Sequence, residues 1–311
     1  MTIVRDLGSA RERWLLIDTA HRRGGERAAR ANESTSPAGW FEATVPGLAA
    51  QDLIRVGRIP DPYWGNQVTE ARWIEERDFV YRTSFDVSAD EVKRAARLFF
   101  ESLDTFAAIY LNGKLLARHE NQFRRLFVDI SGKLVQGKNT LSIAFEAGMA
   151  GTVRRAGKKL PFWNEPWERL WVRKSQMSFG WDWASRTPTV GVAGPVLIEF
   201  SEGVWAGDLC ARGIIEPDGS GTISVSLPLA ALETQKLTAE LVLGGKVVAR
   251  SELEARTGEE HEAVLRARIA DPKLWFPREL GEPHLYEVEL RVSGAKGLLH
   301  AASCKVGIRK I

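Results

Sequence analysis

Apolar side chains in this chain fall mostly at every second position, the period of a strand with one buried face. Leu141, Ile143 and Phe145 alternate with small or polar residues behind Gly137-Lys138-Asn139, which predicts a half-buried strand entered through a turn. Asn112-Gly113 sits between the apolar arms Ile109-Tyr110-Leu111 and Lys114-Leu115-Leu116. That is a hairpin signal, because both central residues of a type I′ turn need positive φ. Leu98-Phe99-Phe100, a short continuous apolar run, predicts a strand covered on both faces. In the second half Ile223, Val225 and Leu227 alternate, as do Tyr286, Val288, Leu290 and Val292. Between them Gly244-Gly245 joins Leu241-Val242-Leu243 to Lys246-Val247-Val248 as a second hairpin. Helical periodicity is scarce: residues 47–56 predict a short helix and 89–95 a turn or two. Residues 20–38, rich in Arg, Gly, Ala and Ser, read as a surface loop. Many short strands and few helices predict an all-β chain built of sandwiches. Turn spacing in the second half fits an immunoglobulin-like unit of about a hundred residues. The boundary is expected near residues 201–205, where the strand Val196–Phe200 ends.

Length and composition narrow the class further. The 311 residues suffice for two domains, with 44% hydrophobic and 27% charged residues, as in ordinary globular proteins. Basic residues number 43 and acidic 40, a formal charge of +3 that makes no case for nucleic acid as a partner. Arg22-Arg23, Arg124-Arg125, Arg154-Arg155 and Lys158-Lys159 read as solvated loop charges, since none recurs as a stripe along one element. Cys210 and Cys304 form no Cys-x-x-Cys and read as two buried free thiols, although two strands could bring them together to pair. The five histidines are scattered without metal-ligand spacing. The N-terminus has no apolar signal region, and no apolar run approaches membrane-spanning length. The expectation is a soluble cytoplasmic protein with no metal, no cofactor and no membrane partner.

The composition has one skew, eleven tryptophans against four tyrosines. It culminates in Gly180-Trp181-Asp182-Trp183, two indoles flanking one carboxylate, with Trp163, Trp167 and Trp171 just before. Tryptophans commonly fill cores, and an Asp between them can serve nearby backbone. Sugar binding uses the same residue types differently: pyranose C–H faces pack on aromatic rings while a carboxylate accepts hydroxyl hydrogen bonds. Residue type alone leaves both readings open.

An ordered series of segments resembles the front half of glycoside hydrolase family 2 enzymes of the β-mannosidase type. It runs through Val45-Pro46-Gly47, Gln51-Asp52-Leu53, Ile59-Pro60-Asp61-Pro62-Tyr63-Trp64-Gly65-Asn66, Trp73, Tyr81, Leu103-Asp104-Thr105 and Leu111-Asn112-Gly113. It continues with Asn121-Gln122-Phe123, Val128-Asp129-Ile130, Gly137-Lys138-Asn139 and Arg173-Lys174-Ser175-Gln176, leading into Phe179 to Trp183. Leu274-Trp275-Phe276-Pro277, Gly281, Pro283, Leu285-Tyr286 and Val306 to Ile311 extend the likeness to the end of the chain. The resemblance implies a galactose-binding-like jelly roll over residues 1–201 and an immunoglobulin-like β-sandwich over 206–311. It also implies that Trp181, Asp182 and Trp183 meet a β-mannoside or related sugar, with Asp182 contacting its hydroxyls. After the motif the chain reads Ala184-Ser185 where the family commonly has Gly-Pro, which puts the tip's contacts in question.

The family's retaining hydrolysis uses two carboxyls about 5–5.5 Å apart, carried on a barrel that needs roughly 250 residues. The expectation is therefore that this chain lacks the catalytic barrel, carries no catalytic residue, and takes that barrel, fused or separate, as its partner. Asn164-Glu165 mimics the acid/base pair of barrel glycosidases, but it precedes Arg173-Lys174 with no barrel strand before it, and reads as a loop. A stand-alone carbohydrate-binding module and a structural or assembly piece are the alternatives to an accessory, substrate-recognising half.

Overall fold

Alternation along the sequence becomes strand pairing in the computed structural model, which describes residues 2–8, 12–20, 24–30, 39–148, 167–187 and 189–310. The chain divides into two compact units, Val4–Glu199 and a second that begins at Phe200 and also holds Ile3.

In the first unit, one sheet takes the strands Phe41–Ala43, Trp14–Ala20, Arg77–Val87, Gly137–Phe145, Ala107–Leu111 and Lys114–His119 in that order. A second sheet takes Ile3–Asp6, Val196–Ser201, Ala95–Phe100 and Leu126–Asp129. Antiparallel register sets Tyr81 opposite Ile143 and Phe79 opposite Phe145, so the large rings of both strands share one face. Tyr81 and Phe145 meet edge-on, with centroids 5.7 Å apart. The second sheet buries Ala96, Leu98 and Phe100 alongside Val196 and Ile198. The expected turn forms, with Asn112 at φ 50° and Gly113 at φ 74°. The Asn112 amide also bonds the Asn139 side chain at 2.9 Å, tying the hairpin to its neighbouring strand.

Three expectations change here. Residues 20–38 are not all loop: Gly24–Arg30 is an α-helix with Ala29 fully buried against Val80, Tyr110 and Ala144. Alanines make that face too small to register as an apolar stripe, yet their smallness lets the helix lie close to the sheet. Because the helix covers the second face, Gly137–Phe145 is buried on both sides from Leu141 onward, instead of half-buried. Leu98-Phe99-Phe100 shows the reverse error. Leu98 and Phe100 are buried, whereas Phe99 faces outward and meets Phe127 at a 45° tilt, ring centroids 5.0 Å apart. The short helix expected within 47–56 spans Ala49–Arg55, and the turn within 89–95 is the 3-10 helix Glu91–Lys93.

In the second unit, Gly221–Ala231 pairs with Val204–Ala206, Cys210–Ile215 and Glu260–Ile269, and Ile308–Arg309 adds in parallel to Cys210–Ile215. The other sheet orders Lys246–Ala255, Gln235–Leu243, Tyr286–Gly294 and Gly297–Val306. Ile223, Val225, Leu227, Leu237, Leu241, Val288, Leu290 and Val292 form its core, the alternating set read from the sequence. Opposite-charge pairs such as Glu240 with Arg250 and Glu287 with Lys305 sit across neighbouring strands on the solvated side, each worth about 0–1 kcal/mol. Cys210 and Cys304 are both free, but Cys210 is exposed and Cys304 half-buried, contrary to the expectation of two buried thiols. Among the described residues no helix is long and apolar enough to cross a membrane.

Candidate functional site

The indole–carboxylate–indole motif occupies the apex of a tight turn in the first unit. Trp181 and Ala184 bridge to each other, with N–H···O distances of 2.9 and 3.4 Å, so Asp182 and Trp183 are its two central residues. Gly180, at φ 97°, ends the preceding 3-10 helix Gln176–Phe179. That conformation needs glycine. Ala184 takes no positive φ; among the described non-glycine residues only Asn112 does.

The apex points to solvent. Trp181 is 47% and Trp183 70% exposed, their rings 5.4 Å apart and tilted by 46°. Asp182 is exposed too, and no hydrogen bond to another described residue engages its carboxylate. The reading of these tryptophans as core residues therefore fails. Arg169 lays its guanidinium 4.6 Å from the Trp181 ring, a cation–π contact that fixes one indole face. Together Arg169, Phe179, Gly180, Trp181, Asp182, Ala184 and Arg186 line an open cleft of about 540 Å³.

Buried ion pairs hold this turn from beneath. Arg186 donates to Glu75 from Nε at 2.9 Å and from Nη2 at 2.7 Å, a two-pronged bond that locks the guanidinium. Deeper, the Lys174 ammonium meets Asp104 at 2.9 Å with both side chains nearly inaccessible, and it also donates to the Thr189 carbonyl. The hydroxyls of Thr105 and Thr189 donate to the two oxygens of Asp104. Burial pushes the Lys174 ammonium below the usual lysine range, and the Asp104 and Glu75 carboxylates only partly offset it. Tyr81, wholly buried nearby, is pushed well above the usual phenol range by burial first and by Asp52 and Asp104 second. Glu75 and Asp104 are thus each paired with a cation beneath the turn.

Sequence reasoning quoted Asp104 and Lys174 without assigning either a role, and it missed Glu75, Arg186 and Arg169 altogether. The Arg186–Glu75 bond spans 111 residues, which no local spacing reveals. Trp171 is half-buried, and its indole N–H has no hydrogen-bond partner among the described residues. Trp163, Asn164 and Glu165, and the side chain of Trp167, lie outside the described residues.

Comparison with known proteins agrees with the fold of the two units. Residues 26–194 match the family described as glycosyl hydrolase 2 galactose-binding domain-like, and 213–309 match glycosyl hydrolases family 2. Beta-mannosidase B of Aspergillus terreus is 30% identical over 284 residues, covering 89% of this chain and 33% of that protein. Its counterpart in Aspergillus flavus is 31% identical over 289 residues, covering 89% of this chain and 34% of that protein. Among solved structures, a beta-D-mannosidase from Dictyoglomus thermophilum superposes with a TM-score of 0.83 at 27% identity, covering 100% of this chain and 36% of that one. The exo-chitosanase of Amycolatopsis orientalis, at 17% identity and a TM-score of 0.76 over 99% of this chain and 34% of that one, shares the fold. The chain spans about a third of the length of the curated relatives it matches. The two β-sandwiches are those of glycoside hydrolase family 2, galactose-binding-like and then immunoglobulin-like, and the chain belongs to that family.

Proposed function

We propose that this chain is the accessory, substrate-recognising half of a β-mannosidase-like retaining glycosidase, with bond cleavage supplied by a barrel to which it is joined. One observation carries the reading: Asp182 stands at a solvent-facing apex between two exposed indoles, its carboxylate unengaged by any described residue. A carboxylate so placed accepts hydrogen bonds from two vicinal hydroxyls, and the indoles cover the sugar's C–H face. The named activity of the fungal and bacterial relatives favours a β-mannoside as the sugar. On this reading residues 1–201 carry the recognition turn, and 206–311 form the second sandwich, leading toward the barrel.

Titration of methyl β-mannoside onto the purified chain, followed by indole emission, tests this. Binding in the millimolar range, weakened about tenfold or more by Asp182→Ala, is expected, because a hydrogen bond to a charged group contributes about 1.5–3 kcal/mol. Indole emission unchanged by any amount of sugar, or an affinity indifferent to Asp182, would remove the proposal.

The exposed rings of Tyr63, Trp64 and Phe123 favour a second reading, a carbohydrate-binding module that acts without a barrel. Affinity for manno-oligosaccharides that keeps rising well beyond the disaccharide would support it over the first.

A further inference from the structure

A second cleft, also of about 540 Å³, shares Ala184 with the first. That volume lies within the range of about 300–1,000 Å³ found for small-molecule sites. None of its lining residues carries a charge. Two of them, Gln51 and Gln122, are amides already fixed at one end. The Gln51 Oε1 accepts the Leu48 N–H at 3.2 Å, and the Gln122 Oε1 accepts the Ser175 N–H at 2.9 Å. Fixing the oxygen fixes the orientation of the whole amide, and neither NH2 group has a partner among the described residues. Tyr63, 77% exposed, and Met177, 52% exposed, add apolar surface to the same lining, and Ser185 adds a hydroxyl.

We infer that this cleft is a second sugar subsite, for the saccharide unit next to the one held at Asp182. The chemistry selects that occupant. An uncharged lining has nothing to compensate a phosphate, a carboxylate or an ammonium, whereas oriented amide donors, a hydroxyl and an aromatic ring suit a neutral polyol. Continuity through Ala184 places it against the first cleft, where the next unit of an oligosaccharide would lie. The inference rests on the proposed sugar recognition at Asp182 and extends it from one residue of substrate to two.

Gln51→Glu and Gln122→Glu each keep an oxygen for the backbone N–H and exchange the free NH2 donor for a second, negatively charged oxygen that cannot donate to a sugar oxygen. Calorimetry of the purified chain with methyl β-mannoside and with a β-linked mannobiose gives the test. The disaccharide is expected to bind at least tenfold tighter than the methyl glycoside. The double variant should bring that ratio close to one, with methyl glycoside affinity and thermal midpoint unchanged. Equal affinities for the two ligands in the unaltered chain would overturn the second subsite alone, as would a ratio that survives the double substitution. No heat with either ligand, or a methyl glycoside affinity untouched by Asp182→Ala, would overturn the first site and the second with it.

Discussion

Tyr81 shows how one side chain sets a pH limit on the fold. Its hydroxyl is fully buried with no hydrogen-bond partner among the described residues, and burial raises its pKa well above the ordinary 10.0. In the unfolded chain the phenol ionises near pH 10, while in the folded chain it stays protonated to higher pH. Between those values the unfolded state holds fewer protons, so stability is unaffected below pH 10 and falls as pH rises beyond it. Tyr81→Phe should flatten that decline in urea melts between pH 9 and 11, while changing stability at pH 7 by less than about 1 kcal/mol, since no hydrogen bond is lost. An unchanged alkaline slope would assign the decline to other groups. At Asp182 the residue scale was legible beforehand, because two indoles around one carboxylate form a dense local signal. At Gln51 and Gln122 it was not: an amide is common everywhere, and only the fold aims these two into one cleft.

At the scale of elements, the turn at 180–183 depends on what clamps it. Glu75→Ala would remove the carboxylate that grips the partly buried Arg186 guanidinium. The expected loss is about 3 kcal/mol, the low end for breaking a buried pair, because Arg186 keeps some contact with water. Chemical denaturation measures it, and a loss under about 1 kcal/mol would show that the clamp does not hold the turn. Gly191 pairs with Leu48 across a two-stranded ladder, at φ 157°. A Cβ there would come within 2.5 Å of the Gly47 carbonyl oxygen and 2.9 Å of the Tyr81 hydroxyl. Gly191→Ala should therefore cost about 1–3 kcal/mol through overpacking, read as a lower thermal midpoint. A variant as stable as the parent would mean that the ladder yields easily. Strands and their turns were readable from alternation and from Asn112-Gly113. The helix Gly24–Arg30 was not, because its buried face is alanine and its stability comes from the sheet it covers.

For the whole molecule, the two buried carboxylates beneath the turn at 180–183 are already engaged in ion pairs. Asp104 is held by Lys174, and Glu75 by Arg186. The purified chain should release no p-nitrophenol from p-nitrophenyl β-mannoside above background. Turnover that scales with protein and survives further purification would contradict the division of labour proposed here. What the sequence determined by itself was the all-β character, the two hairpin turns, and the chemical identity of the apex at 180–183. Each of those is set by residues within a few positions of one another, where backbone preference and side-chain alternation act directly. Only the tertiary structure decided which charges became buried pairs, which alanines became core, and which two glutamines came to face one cleft. Those outcomes join residues far apart along the chain, 111 positions in the case of Arg186 and Glu75, and burial, not local preference, selects them.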